Sequence, residues 1–327
     1  MTTTNSMHLI ENLLEPKVSV RISEGFGKGL VELGEKDPNV WGLSADVTES
    51  TRMHYFAEKF PERFVQVGVA EQNMAGVAAG IAACGKTAFI SAYGVFSPGR
   101  NWDQIRVSIC YNDVPVIIHA SHTGVTVGPD GASHQALEDV ASVRPIPNLI
   151  IEAPCDMEQA KKAVFALAKT KKPGYLRTSR ETAPVFTTDK TPFVIGKANV
   201  YRDGKDIAIF ACGMVVYESL KAAMQLEKEG ISCAVIDMHT IKPIDEDCIL
   251  KYAKKCKVLM SVEDHQVIGG LGGAISEVLC ENSPALLHRH GIYNRFCESG
   301  GGKELMHKYE LDAEGIVKQA KKALKMK

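Results

Sequence analysis

From residue 19 to about residue 185, helical stretches alternate with short β-branched runs, and this alternation constrains the chain more than any single motif. It is the pattern of a parallel sheet wrapped by helices. Residues 21–33 read as a helix, with Ser19 or Ser23 as its cap. Residues 40–43, 64–67, 88–91 and 114–119 read as strands, and Asp46 stands just past the first of them. Residues 71–83, which carry MAGVAAGIAA, read as a helix whose small side chains admit a closely packed neighbour. A polar, proline-bearing stretch at 184–192 reads as a linker. Beyond it, 206–211, 233–237 and 258–262 read as strands and 217–229 as a helix. The expectation is an α/β chain of two doubly wound domains, residues 1–187 and a smaller unit at 195–327, in line with about 100–200 residues per domain.

Composition acts mainly by exclusion. A net charge of −1, with 45% hydrophobic and 24% charged residues, gives no excess charge to attract nucleic acid or a membrane surface. No run of about 18 apolar residues is present to span a bilayer. Residues 1–16 (MTTTNSMHLIENLLEP) lack the basic and long apolar regions of a signal peptide. Nine cysteines are scattered without a C-x-x-C pair, as expected for reduced thiols in a cytoplasmic protein.

Three segments could carry chemistry. In residues 68–74 (GVAEQNM) one acid, Glu71, follows a strand and opens an apolar helix. It is either a plain helix-start acid, favoured there by the dipole, or a functional carboxylate. Residues 121–135 (SHTGVTVGPDGASHQ) place His122, Asp130 and His134 among glycines after an apolar strand. Ligands of α/β sheets bind at the carboxyl ends of strands, and histidines there can donate hydrogen bonds or move protons near neutral pH. The same segment also fits a glycine-rich surface loop. Tyr93 and Phe96 are either core or a platform for a flat ligand, and Arg180 in YLRTSRE is either solvated or a phosphate ligand.

Together, FISAYGVFSPGRNWDQ (89–104), GVAEQNM, HTGVTVGPDGASHQ and SRE resemble transketolase in order and spacing, from about Arg21 to the C-terminus. That family binds thiamine diphosphate between a pyrimidine-binding domain and a diphosphate-binding domain. The resemblance implies that this chain is the former plus the C-terminal domain. The GDG motif of a diphosphate domain is absent: the only Asp-Gly pairs are at Asp130 and Asp203. The expected partner is therefore a large subunit that carries the diphosphate site and Mg²⁺, with no metal ligand assigned to this chain. The expected assembly is two small and two large subunits, with self-association of this chain to a dimer.

The resemblance also implies roles. Glu71 matches the glutamate that hydrogen-bonds the pyrimidine and promotes the tautomer that activates the thiazolium carbon. Phe96 matches the aromatic stacked on the pyrimidine, with Tyr93 and, more loosely, Trp102 completing the pocket. Asp46 matches an aspartate near the cofactor. Asp130 matches the aspartate that recognises a donor hydroxyl, and His134 the histidine beside the reacting carbonyl. Arg21, Ser50, His122 and Arg180 match sugar-phosphate contacts. In the C-terminal part, VEDH followed by GGLGGAISEVL resembles a glycine-rich turn entering a helix, with Asp264 and His265 structural. The implied reaction is transfer of a two-carbon ketol unit from a ketose phosphate to an aldose phosphate. Alternatives are a β-type subunit of a 2-oxo-acid dehydrogenase, a deoxyxylulose-phosphate synthase-like chain, and a non-catalytic partner-binding homologue. Against these stand the paired-histidine loop, a histidine and not an acid at position 122, and the retained Glu71.

Overall fold

A computed structural model describes residues 7–326; residues 1–6, part of the expected N-terminal extension, and Lys327 lie outside the described residues. Its strands are β1 (Ser19–Arg21), β2 (Val40–Ser44), β3 (Phe64–Gln66), β4 (Thr87–Tyr93), β5 (Val116–Thr123), β6 (Ile150–Glu152) and β7 (Gly174–Ser179). They continue with β8 (Thr182–Pro184), β9 (Asn199–Arg202), β10 (Ile207–Ala211), β11 (Cys233–Asp237), β12 (Thr240–Lys242), β13 (Val258–Gln266) and β14 (Leu287–Ile292). A seven-stranded sheet has the order β12-β6-β7-β5-β4-β2-β3, parallel throughout except for β12 at its edge. A five-stranded sheet has the order β14-β13-β10-β11-β9, with only β9 antiparallel. β1 and β8 pair by themselves, setting Arg21 opposite Thr182.

Side-chain alternation explains why the larger sheet is covered on both faces. Ala88, Ile90, Val116 and Ile118 of β4 and β5 pack with Met74, Ala75 and Ala78 of the Glu71–Ala83 helix. Their neighbours Phe89 and Ile117 pack on the other side against Phe26 and Leu30 of the Ser23–Lys36 helix and Val164 and Leu167 of the Met157–Thr170 helix. Each fully buried Val, Leu, Ile, Phe or Met among them stabilises the fold by about 1.5–3 kcal/mol. Those two helices approach so closely that a Cβ on Gly25 would lie 1.9 Å from the carbonyl oxygen of Met157.

The two sheets share a core. Ala208, Phe210 and Ile236 of the smaller sheet join the same cluster as Ile90 and Ile118. β12 follows the small-sheet strand β11 yet pairs antiparallel with β6 of the large sheet, a crossing the sequence did not reveal.

One local expectation is corrected and one is sharpened. The helix expected at 21–33 spans Ser23–Lys36; Ile22 precedes it with no side-chain cap, and Ser19 lies in β1. Ser23 is helical, and its hydroxyl is buried without a partner among the described residues. The stretch at 184–192, read as a linker, is packed against the fold. Phe186 is fully buried, and the Asp156 carboxylate accepts the backbone N–H groups of Phe186 and Thr187 and the Thr187 hydroxyl.

Candidate functional site

The strand order reverses between β2 and β4: the chain leaves β2 toward β3 on one side and β4 toward β5 on the other. Such a reversal opens a crevice at the carboxyl ends of the two strands. Asp46 and Ser50 follow β2, Tyr93 ends β4 with Phe96 just beyond, and His122 lies at the end of β5 before Asp130 and His134. Arg180 follows β7, and the β1–β8 pairing carries Arg21 to the same end. Topology thus gathers residues scattered over 160 positions.

The contacts form a chain. The Tyr93 hydroxyl donates to Ser50 Oγ at 3.0 Å, and Ser50 Oγ donates to the Val47 carbonyl at 3.1 Å. The Tyr93 ring stacks on His122 with centroids 4.0 Å apart and reaches Phe96 at 6.0 Å. Phe96 meets His134 edge-on at 5.3 Å. A register slip between β5 and β7, from Ala120 to Thr123, accompanies a left-handed backbone at His122 (φ +57°). A bulge of this kind re-aims a side chain, and here the His122 ring lies against Tyr93.

His122 is buried and pushed down to about 3, first by burial and then by Arg180, Arg21, Arg52 and His134. It is therefore a neutral ring near pH 7, with one donor and one acceptor, and Nδ1 lies 2.8 Å from Ser121 Oγ. Arg180 lies 3.2 Å from the Asp130 carboxylate and also donates to the Val127 carbonyl. Ser133 Oγ holds His134 Nδ1 at 2.9 Å.

Glu71 is the first residue of its helix and only 4% exposed. Arg100 Nη1 donates to its Oε1 at 3.1 Å, while the Arg100 guanidinium lies over Phe96, 4.3 Å from the ring centroid. A flat nitrogenous group stacked on Phe96 can therefore reach Glu71 with an N–H, which is the geometry an aminopyrimidine ring requires. The residues present fit the pyrimidine half of thiamine diphosphate. Asp46 sits in a left-handed conformation (φ +61°), with its N–H donated to Gln66 Oε1 at 2.8 Å. Trp102 stands apart from the ring cluster: its indole N–H donates to the Ser142 carbonyl at 2.8 Å, and its ring packs against the core.

The smaller sheet buttresses the loop between His122 and His134. Asp264 at the end of β13 accepts the Val125 N–H at 2.9 Å, and burial pushes its carboxyl up to about 6. Arg177 donates to the Asp264 carbonyl at 2.8 Å and to Asp139 at 2.9 Å. Gln135 Nε2 donates to the carbonyls of Val125 and Glu298. The glycine-rich helix start after VEDH is no open anion site, because Glu263 accepts the N–H groups of Leu271 and Gly272 at 2.7 and 2.9 Å. Reading single residues missed Arg52, Arg100 and Gln66; only their spacing to the loops that carry Ser50 and Phe96 could have drawn attention to them.

Comparison with known proteins gives two family matches. The profile described as "Transketolase, pyrimidine binding domain" covers residues 18–185, and "Transketolase, C-terminal domain" covers residues 196–316. The chain is 44% identical to a "Putative transketolase C-terminal section" from Methanocaldococcus jannaschii, over 92% of this chain and 96% of that protein. It is 37% identical to a "6-deoxy-6-sulfo-D-fructose transketolase subunit" from Clostridium sp., over 89% and 90% of the two chains. A solved structure described as "Split gene transketolase, inactive beta4 tetramer" superposes with a TM-score of 0.85 at 39% identity, covering 94% of this chain and 99% of the other.

Proposed function

Because this chain belongs to the transketolase family, whose domains imply dependence on thiamine diphosphate, we propose that it is the small subunit of a split transketolase. In this reading a pyrimidine-binding domain at residues 1–187 and a C-terminal domain at 195–327 work with a large subunit that holds the diphosphate and Mg²⁺. The assembly is a heterotetramer built on a dimer of this chain, and the compartment is the cytoplasm. That a neighbouring split-gene chain is described as an inactive β4 tetramer supports inactivity of the small subunit by itself. Among the described residues, no helix is long and apolar enough to cross a membrane.

The observation that carries the reading is the meeting, in one crevice, of a buried carboxylate beside an aromatic face with a wall of polar side chains. Glu71 and Phe96 make the first part, and Ser50, Tyr93, His122, Asp130, His134 and Arg180 make the second. When bound, thiamine diphosphate supplies a carbon nucleophile and an electron sink, the chemistry that breaking a ketose next to its carbonyl demands. The chain's own residues position it. Glu71 holds the pyrimidine nitrogen and its proton, Phe96 stacks on the ring, and Asp46 and Tyr93 border it. His134 hydrogen-bonds the reacting carbonyl and its hydroxyls, and Asp130 accepts a donor hydroxyl. Arg180, Arg21, Ser50 and neutral His122 hold the terminal phosphate. Remote anchoring of that kind orients the carbonyl for attack.

The reaction is reversible transfer of a two-carbon ketol unit from a ketose phosphate to an aldose phosphate. It is tested by assaying xylulose 5-phosphate with ribose 5-phosphate, thiamine diphosphate and Mg²⁺, using this chain alone and with a diphosphate-domain partner. Activity in the mixture only is expected. Activity of the chain alone would place the diphosphate site within it and overturn the split reading.

A further inference from the structure

Arg52 has no role in the reading above, yet the fold holds it tightly. Its backbone is left-handed (φ +68°), a conformation that a non-glycine residue keeps only where the surroundings impose it. Those surroundings are visible. Arg52 Nε donates to Glu24 Oε1 at 2.5 Å and Nη1 donates to the Glu49 carbonyl at 2.9 Å, while Glu24 Oε2 accepts the Tyr55 hydroxyl at 2.9 Å. The side chain is one-fifth exposed, and its carboxylate partner slightly less.

This bracing fixes the plane of the guanidinium and leaves Nη2 with no hydrogen-bond partner among the described residues. The side chain lines the cleft formed by residues 46–50 and Tyr93, where the Ser50 and Tyr93 hydroxyls are joined. Arg21 and Arg180 bear on the same His122 ring as Arg52 does. Arg180 is held in a comparable way, its Nη1 lying 3.2 Å from the Asp130 carboxylate and donating to the Val127 carbonyl. A guanidinium oriented by its own carboxylate loses less freedom per bond when it takes up a second anion.

We propose that Arg52 is a third guanidinium of the site for the sugar's terminal group, and that it reads a tetrahedral oxyanion, a phosphate monoester or a sulfonate, remote from the reacting carbonyl. Glu24 and Tyr55 are its positioning residues. The inference rests on the ketol-transfer reading and extends it with a residue that the family resemblance did not supply. A clamp that only ties the Ser23–Lys36 helix to the loop after β2 would explain the Glu24 bond but not why Arg52 also lines the cleft that Ser50 and Tyr93 share.

The test uses the partner-completed enzyme carrying Arg52→Ala or Arg52→Lys, with Arg180→Ala for comparison. Kinetics are measured with xylulose 5-phosphate and with unphosphorylated erythrulose as donors. Arg52→Ala is expected to raise KM for the phosphorylated donor about tenfold or more, with kcat within about twofold and the erythrulose KM unchanged. Arg52→Lys keeps the charge without the fork, so it should recover part of that loss and keeps the test usable if the alanine variant folds poorly. Ribose 5-phosphate and its 5-sulfonate isostere as acceptors separate the two oxyanions: loss with both supports a general oxyanion contact, and loss with the phosphate alone supports a contact to the dianion. Equal loss with erythrulose, or a lower melting temperature with no change in KM for any substrate, would reduce Arg52 to a clamp and overturn the proposal. If Arg180→Ala alone separates phosphorylated from unphosphorylated donors, this inference fails while ketol transfer stands. If the unmodified complex turns over no ketose phosphate, the functional reading itself fails.

Discussion

Replacing Gly124 with alanine should couple the two sheets' stability to the function of the loop between them. Gly124 has φ +78° and ψ −173°, a region open essentially to glycine alone. A Cβ there would lie 1.8 Å from Asp264 Oδ2 and 2.3 Å from its Cγ. Holding alanine in that conformation costs about 1–3 kcal/mol. The carboxylate must also move, which breaks its bond to the Val125 N–H and leaves buried polar groups unpaired at about 1–3 kcal/mol more. A loss of about 2–6 kcal/mol is a large share of a typical 5–15 kcal/mol folding stability. Urea denaturation of Gly124→Ala, Asp264→Ala and the double variant measures it. The clash should vanish in the Asp264→Ala background, giving a coupling of about 1 kcal/mol or more and leaving the backbone cost. In the partner-completed enzyme kcat/KM should fall too, because His122 and Asp130 flank the displaced backbone. A Gly124→Ala protein within about 0.5 kcal/mol of the parent, with no coupling, would refute the contact between Asp264 and the loop.

Three further outcomes are expected. Glu71→Ala should fold normally, because its partner Arg100 is half exposed and is not left as a buried charge; cofactor-dependent turnover should disappear, and retention of more than about a tenth of it would exclude the role given to Glu71. Arg180→Ala should raise KM for phosphorylated sugars roughly 10–100-fold and leave unphosphorylated ones alone; an equal effect on both would argue against a phosphate contact. The His122 ring should stay neutral in an NMR titration down to about pH 4, since burial and three arginines push it down to about 3; protonation near 6.5 would contradict the buried, arginine-ringed placement. The sign for stability follows: the unfolded chain binds this proton first, so His122 and the equally depressed His119 cost the fold stability as pH falls from 6.5 toward 3. Asp237 and Asp264, each raised to about 6, act in the opposite sense between about pH 4 and 6.

Much of this was legible in the sequence, for identifiable reasons. The Glu71–Ala83 helix and the Cys233–Asp237 strand match their expected bounds, because a small-residue run opened by an acid and a short apolar run flanked by polar residues leave little choice. β5 runs on to Thr123, past the expected end at 119, because its final HASHT is polar yet buried. His119 stacks on Phe26 at 3.6 Å, and its two nitrogens meet Ser91 and Thr178 at 2.8 and 2.9 Å, pairings invisible along the chain. Arg52 and Arg100 escaped notice because a lone charge has no periodicity, and their carboxylates lie 28 and 29 positions away. The crossing of β12 to β6 and the grip of Asp264 on Val125 are long-range pairings for which no local pattern exists.

The central claim is that this chain holds half of a cofactor site. Calorimetric titration of thiamine diphosphate with Mg²⁺ into the chain, into a diphosphate-domain partner and into their mixture tests it most directly, with a Glu71→Gln mixture as control. Tight binding in the mixture alone, weakened by Glu71→Gln, is the expected result. Full-affinity binding by the chain alone, or binding in the mixture indifferent to Glu71, would contradict it.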